Sequence, residues 1–240
     1  MSAASRITTC VRLNLRVQQR SGFIQILLGL ALVLVVVVRL GLPETLWPLL
    51  VPTMLLVEYG AVGLTLVAAM QYLESNEKSA AALAVSPLES TEHVAAMLLA
   101  PALVGTVAGL GIQAGLIGLD ARVLLLLPPL LVTCVLAGAA GLWVACYYRE
   151  FTRFILGVIP IVALIQLPLL SLYGLTPRFT WLWHPADAAL YSFTNLTEAS
   201  PSLLAWAGYL ALLVGFCTLG FRQVHRVYCE RILQRLGEST

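Results

Sequence analysis

The chain has 240 residues, of which 60% are hydrophobic and only 11% charged. A soluble domain carries roughly 25% charged residues and about half apolar ones, so this surplus of apolar side chains requires lipid as its solvent. A formal net charge of +2 is too small for a nucleic-acid footprint, and no polar stretch is long enough to make a second domain.

The chain opens on a basic arm, residues 1–20. Arg12, Arg16 and Arg20 recur every fourth residue, while Cys10, Leu13 and Val17 lie on another side. The spacing predicts a short interfacial helix with arginines reaching lipid phosphates; a plain topology anchor fits the same pattern. The first apolar run, 23–40, is followed by no small-residue cleavage pattern and by further spans, so it reads as a retained helix. At about 20 apolar residues per crossing, the runs 47–72, 93–118, 123–147, 154–173 and 203–221 bring the count to six.

With both ends in the cytosol, 11 arginine and lysine residues fall inside (Arg6, Arg12, Arg16, Arg20, Lys78, Arg149, Arg153, Arg222, Arg226, Arg231, Arg235). Only 3 fall outside, Arg39, Arg122 and Arg178. That positive-inside bias fixes the expected orientation. The fold class is therefore an all-α polytopic membrane protein with six transmembrane helices and cytoplasmic termini. An interfacial helix precedes the spans, and an outer re-entrant segment lies between helices five and six.

Within the spans, Glu58 is the only acidic residue well inside a crossing. Such a group is expensive in lipid and faces a bundle interior, a partner or a wet cavity. It is a candidate for the translocation path or dimer seam, and a structural hydrogen bond to a neighbouring helix is the alternative. Gln113 and Gln166 are weaker candidates of the same kind. Gly105-x-x-x-Gly109 and Gly111-x-x-x-Gly115 allow close helix approach. Pro128, Pro129, Pro160 and Pro168 predict kinks in the fourth and fifth spans. The five cysteines form no C-x-x-C pair and read as small buried hydrophobes.

Two connections are long. The inner one, 74–92, exposes Glu74, Glu77, Lys78, Glu89 and Glu92 around an alanine-rich stretch that favours helix. Ser86-Pro87-Leu88-Glu89 has the form of a capping box that starts the next helix. A helix, sharp turn and helix there can pass force from a cytosolic partner to two spans; mere solvation of an interfacial loop is the rival reading. The outer one, 177–199, holds Pro177, Trp181, Trp183, His184, Pro185, Asp187 and Tyr191, aromatics suited to the headgroup level. A short helix over 185–193 is expected, dipping back under protein cover or resting on lipid. Ser200-Pro201 is expected to cap the last span.

The run Leu73-Glu74 through Ala81-Ala82-Leu83-Ala84-Val85-Ser86-Pro87-Leu88, followed by Glu92, resembles the acidic signature of small ABC-2 type ABC transporter permeases, closest to the fluoroquinolone-export type. There the pattern runs L-E-R-E-x-G-T-L-x-A-L-L-V-T-P-L and then W-E. Glu74 matches the first acid, Ser86-Pro87-Leu88 the T-P-L, and Glu92 the later glutamate. Asn76 stands in place of a second acid, Lys78 in place of glycine, and Met97 where a lysine often follows. The resemblance takes in the basic arm, the six-span plan, the turn from Tyr148 to Phe154 and the outer proline-containing segment.

It implies an ATPase-coupling element built from Glu74, Glu77, Lys78, Ser86, Pro87, Glu89 and Glu92. It also implies an outer gate around Trp183, Pro185, Asp187 and Tyr191. The implied protein is the permease subunit of an ATP-driven exporter in a prokaryotic inner membrane, moving a hydrophobic or amphipathic compound by alternating access. Its partners would be an ABC ATPase dimer and a second permease copy or homologue.

The chain has no G-x-x-x-x-G-K-[ST] phosphate loop, so ATP and magnesium are expected on the partner, with no cofactor or metal on this chain. Alternatives are ABC-2 export of lipid, haem or peptide, and a secondary transporter or channel. An intramembrane enzyme fits less well, because there is no Gly-x-Ser-Gly, no H-E-x-x-H, and His93, His184 and His225 are dispersed along the chain.

Overall fold

A computed structural model describes residues 2–76, 88–118, 120, 123–148, 150–197 and 202–233. Every regular element among them is helical. Helix α1 spans Ala3–Arg20, α2 Phe23–Gly41, α3 Trp47–Asn76 after a 3-10 turn at Glu44–Leu46, and α4 Ser90–Leu116. Then come α5 Val123–Ala145, α6 Phe151–Gln166, the single turn α7 Leu169–Leu172, a 3-10 turn at Arg178–Trp181, and α8 Pro185–Thr197. The last helix, α9, spans Leu203–Tyr228 and runs into a π turn at Cys229–Leu233. Among the described residues six helical stretches are long and apolar enough to cross a membrane: α2, α3, α4, α5, the α6–α7 pair, and α9. The architecture is that of a multi-pass membrane protein.

At least half of the membrane-crossing stretch is buried within the chain in α3, α4 and α5, against less than a fifth in α2, α6 and α9. The first three form the centre, and the others present aliphatic faces outward. Leu28, Leu32, Val36, Leu156, Ile159, Leu212 and Leu219 are exposed on those outer helices. Apolar residues on both inside and outside are what a helix needs when its surroundings are lipid or another apolar chain.

Glycines set how closely the centre packs. A Cβ at Gly141 of α5 would meet the backbone of Leu64 in α3, and one at Gly63 would lie 2.7 Å from the Ala137 Cβ. Helices α3 and α5 therefore touch backbone to backbone. Gly105 and Gly109 of α4 receive Tyr59 of α3, whose hydroxyl donates to the Gly105 carbonyl at 3.3 Å. Of the second glycine pair in α4, Gly115 takes Val35 of α2, while Gly111 has open space beside it. The first pair thus packs as expected, and half of the second does not.

Several boundaries differ from those read in the sequence. The fifth span is interrupted: α6 continues through Pro160 but ends at Gln166, and a turn at Leu167 and Pro168 precedes α7. Proline removes one hydrogen bond and crowds the preceding turn; at Pro168 this ends the helix, whereas Pro128 and Pro129 sit inside α5 without ending it. Helix α4 begins at Ser90 with Glu89 as its cap, and not at Pro87. Glu92 accepts the Glu89 N–H, so the reciprocal box closes three residues later than Ser86 predicted. Likewise Ser202, whose Oγ accepts from Ala205 N–H at 3.3 Å, caps α9. Ser86 and Pro87 lie outside the described residues, as do Glu77, Lys78, Ser200 and Pro201.

In α1 the arginines face out as expected, but the covered stripe is not the one expected. Asn14 and Gln18 are buried against α4 and Leu13 is 58% exposed. At 100° per residue, Arg12, Arg16 and Arg20 centre opposite Ile7, Asn14 and Gln18, and keeping three charges in water decides which face is covered. At Gly22 the backbone adopts φ 79°, a left-handed step that turns the arm into α2.

Candidate functional site

Side chains of chemical interest gather at the two ends of the bundle and at its middle. At the basal end, four elements converge: α1, the end of α3, the start of α4 and the end of α9. Arg6 holds Glu92 in a fork. Its Nε donates to Glu92 Oε2 at 2.8 Å and its Nη2 donates to Oε1. Bidentate pairs of this kind fix orientation as well as charge. Because the carboxylate accepts those hydrogen bonds, the Arg6 guanidinium is held protonated to even higher pH than usual. Glu92 is buried and closes the helix cap with Glu89, so one side chain ties the arm to the first turn of α4.

Next to it, Glu74 Oε2 at the end of α3 lies 3.3 Å from His93 Nε2 in α4. Burial, together with the negative field of Glu74 and Glu92, pushes the Cys10 thiol up. Ser90 Oγ is 3.1 Å from His225 Nε2, and Cys229 Sγ is 3.6 Å and 3.5 Å from those two atoms. The His93 ring lies 5.9 Å from that of Tyr228. So His93 and His225, distant in sequence, meet at one end of the bundle, and only His184 stays apart. Cys134 and Cys146 are buried as expected, but Cys229 packs among polar groups.

At the middle, Glu58 in α3 is 6% exposed, and neither carboxylate oxygen has a hydrogen-bond partner among the described residues. Nearer the apical end, one turn before α4 stops, Gln113 is buried with its Oε1 in the same condition. Gln166 differs, standing half-exposed as the last residue of α6. An apolar cavity of about 170 Å³ opens between α3, α5, α6 and the start of α8, walled by Leu56, Gly60, Ala137, Ile161, Ile165 and Pro185.

At the apical end, α8 packs against α3, α5 and α9. Ala186, Ala189, Leu190 and Phe193 are buried in the main core, and the Phe193 ring lies 6.1 Å from Tyr59. Of the four residues expected at an outer gate, α8 carries Pro185, Asp187 and Tyr191. Trp183 stands on the surface, 69% exposed, with its Nε1 donating to the Thr180 carbonyl at 2.8 Å. The residue that organises this end is Arg178, which sequence reading counted only as an outer charge. Its guanidinium lies 3.8 Å from the Tyr191 ring centre and 5.1 Å from that of Tyr209, and its Nη2 donates to the Tyr209 hydroxyl at 2.8 Å. The aromatic density of residues 173–191 was the available signal, since arginine stacks on such rings.

His184 caps α8 in an unusual way: its Nδ1 accepts the Ala186 N–H at 3.2 Å. Burial lowers the imidazole pKa, and a protonated ring could not accept that bond. The folded protein therefore binds fewer protons here than the unfolded chain. This contribution to stability is complete above about pH 6.5 and is lost as pH falls through the lowered folded value. Thermal unfolding in detergent should show the midpoint dropping on acidification, with a shallower slope for H184Q.

The described residues define a helical membrane protein with six stretches long and apolar enough to cross a bilayer and polar clusters at both ends. Comparison with family models, with curated proteins and with solved structures gives no match.

Proposed function

We propose that this chain is the permease subunit of an ATP-driven exporter of the ABC-2 kind, working as a pair of permease chains above a separate ATPase dimer. In this reading the basal end is cytosolic. The observation that carries the proposal is the juxtaposition of Glu74 and Glu92. These are the two acids that match the permease signature, and they flank residues 77–87 in sequence. Each is tied to a transmembrane helix at its root, one at the end of α3 and the other at the start of α4. A push on the segment between them is thereby delivered to the two most buried spans and, through Arg6, to the arm.

Burial supports the pairing of chains. The aliphatic faces of α2 and α6 are free for a seam or for lipid, and the path would lie between protomers, lined by the first, second and fifth spans. The apolar cavity beside α6 suits a hydrophobic or amphipathic cargo, of which a drug such as a fluoroquinolone is one instance. Glu58 of the second span and Gln166 of the fifth would be the polar positions of that path, with Gln113 of the third span behind its lining. The outer gate would rest on α8 as a re-entrant helix, and the setting would be a prokaryotic inner membrane.

Co-expression with candidate ABC ATPases tests this directly. A stable complex should form, and ATP-dependent export from proteoliposomes should fall by roughly tenfold in E74Q, a coupling loss within the usual range for linked sites. Failure of any ATPase to co-purify, together with unchanged transport in E74Q, would overturn it.

A further inference from the structure

The apical end holds a second cavity, of about 240 Å³, walled by Ser171 and Leu172 of α7, Arg178, and Asp187, Tyr191 and Thr194 of α8. Its polar equipment is paired by sign but unfinished. Asp187 is only 2% exposed, and its Oδ2 accepts no hydrogen bond among the described residues. Arg178 Nη2 lies 3.7 Å from that oxygen, close enough for attraction and too far for a hydrogen bond. A buried carboxylate oxygen without a donor is costly, and an occupant that supplies an N–H removes the cost. The guanidinium is clamped by Tyr191 and Tyr209, so it presents a fixed edge of N–H donors, and its side chain remains 40% exposed. Fixed guanidinium edges recognise phosphate oxygens.

Charge narrows the occupant. A lone cation would be repelled by Arg178, and a lone anion by Asp187. A zwitterion with separated poles satisfies both. Size narrows it again, because the cavity is smaller than the roughly 300–1,000 Å³ of sites for drug-sized ligands. The surroundings point to where such a group comes from: Leu175, Phe179, Leu182 and Trp183 are all exposed on the same apical segment, and apolar and aromatic side chains in that setting lie among lipids.

We propose that this cavity binds a phosphoethanolamine zwitterion, with its phosphate on Arg178 and its primary ammonium donating to Asp187 Oδ2. The proposal is independent of the exporter reading, since it needs no transport and no ATPase. It also predicts a preference among headgroups. A choline group has no N–H to give Asp187, and a glycerol headgroup brings no cation to that carboxylate.

The test uses the full-length, delipidated chain in detergent. Binding of short-chain phosphatidylethanolamine, phosphatidylcholine and phosphatidylglycerol is measured by the shift each causes in the unfolding midpoint. Phosphatidylethanolamine should bind best, and D187N and R178Q should each weaken it by about tenfold, the scale of one charged hydrogen bond. L172W, which fills the cavity from its wall and leaves the charges in place, should weaken it too and serves if D187N fails to fold. Competition by soluble O-phosphoethanolamine would support the site and show that the headgroup suffices. Binding of the lipid without such competition would support the site as one for membrane lipid. Equal binding of all three lipids, or phosphatidylethanolamine binding unchanged in both D187N and L172W, would overturn the proposal.

Discussion

Replacing Gly141 with alanine is expected to destabilise the bundle by about 1–3 kcal/mol, the usual cost of forcing extra atoms into a packed interior. The added Cβ has nowhere to go, because the neighbour it meets is the Leu64 backbone and not the end of a flexible side chain. Relief requires α3 and α5 to move apart, which loosens the pair at the centre of the fold. The control is G111A in α4, where a Cβ meets nothing within 4 Å. There the gain in helix propensity, roughly 0.5–1 kcal/mol for alanine over glycine, has no steric opponent. Thermal unfolding of the two variants in one detergent checks the contrast. If G141A melted with wild-type protein, the backbone contact between α3 and α5 would be wrong.

The second large effect is expected at the Arg6–Glu92 fork. Removing either side chain takes away the bidentate pair that ties α1 to the first turn of α4. Under the exporter reading, R6Q and E92Q should each lower ATP-dependent transport on the order of tenfold, typical of a broken coupling. The double variant R6Q/E92Q should be little worse than either single one, since both remove one shared interaction. Hydrogen exchange should show faster exchange over α1 in all three, with α3 and α5 unchanged. Additive losses in the double variant would mean that the two residues act separately.

Much of the architecture was legible because lipid imposes a simple demand. Six apolar runs are long enough to be spans, and the described helices begin within three residues of them. Where the sequence misled, a local signal competed with a near-identical one. Ser86-Pro87 and Ser200-Pro201 look like helix starts, yet Glu89 and Ser202 hold the caps, each with a partner three residues on. The break at Leu167 and Pro168 was announced by the proline, but Pro160, Pro128 and Pro129 carry the same signal without ending their helices. Which proline breaks a helix depends on what lies around it.

The sites were legible only in part. Glu58, Glu74, Glu92 and Asp187 stood out as acids in apolar or patterned settings. Their partners did not: Arg6 reaches Glu92 from a helix 86 residues away, while His93 for Glu74 and Arg178 for Asp187 are set by how successive elements fold back on each other. Gln18 and Asn14 show the reverse problem, since polar residues on the covered face of α1 hide that face from any hydrophobic pattern.

The interruption that ends α6 at Gln166 has a consequence for the membrane itself. Its 16 residues span about 24 Å at 1.5 Å per residue, and the 19 residues of α2 about 28 Å. The 27 residues of α4, within the centre, reach about 40 Å. At this point of the rim the unbroken helix falls short of a hydrocarbon layer of about 30 Å, and the turn at Leu167 and Pro168 together with α7 completes the crossing. That crossing therefore contains a joint, and a change in bilayer thickness is taken up there by bending, each ångström of mismatch carrying a small cost.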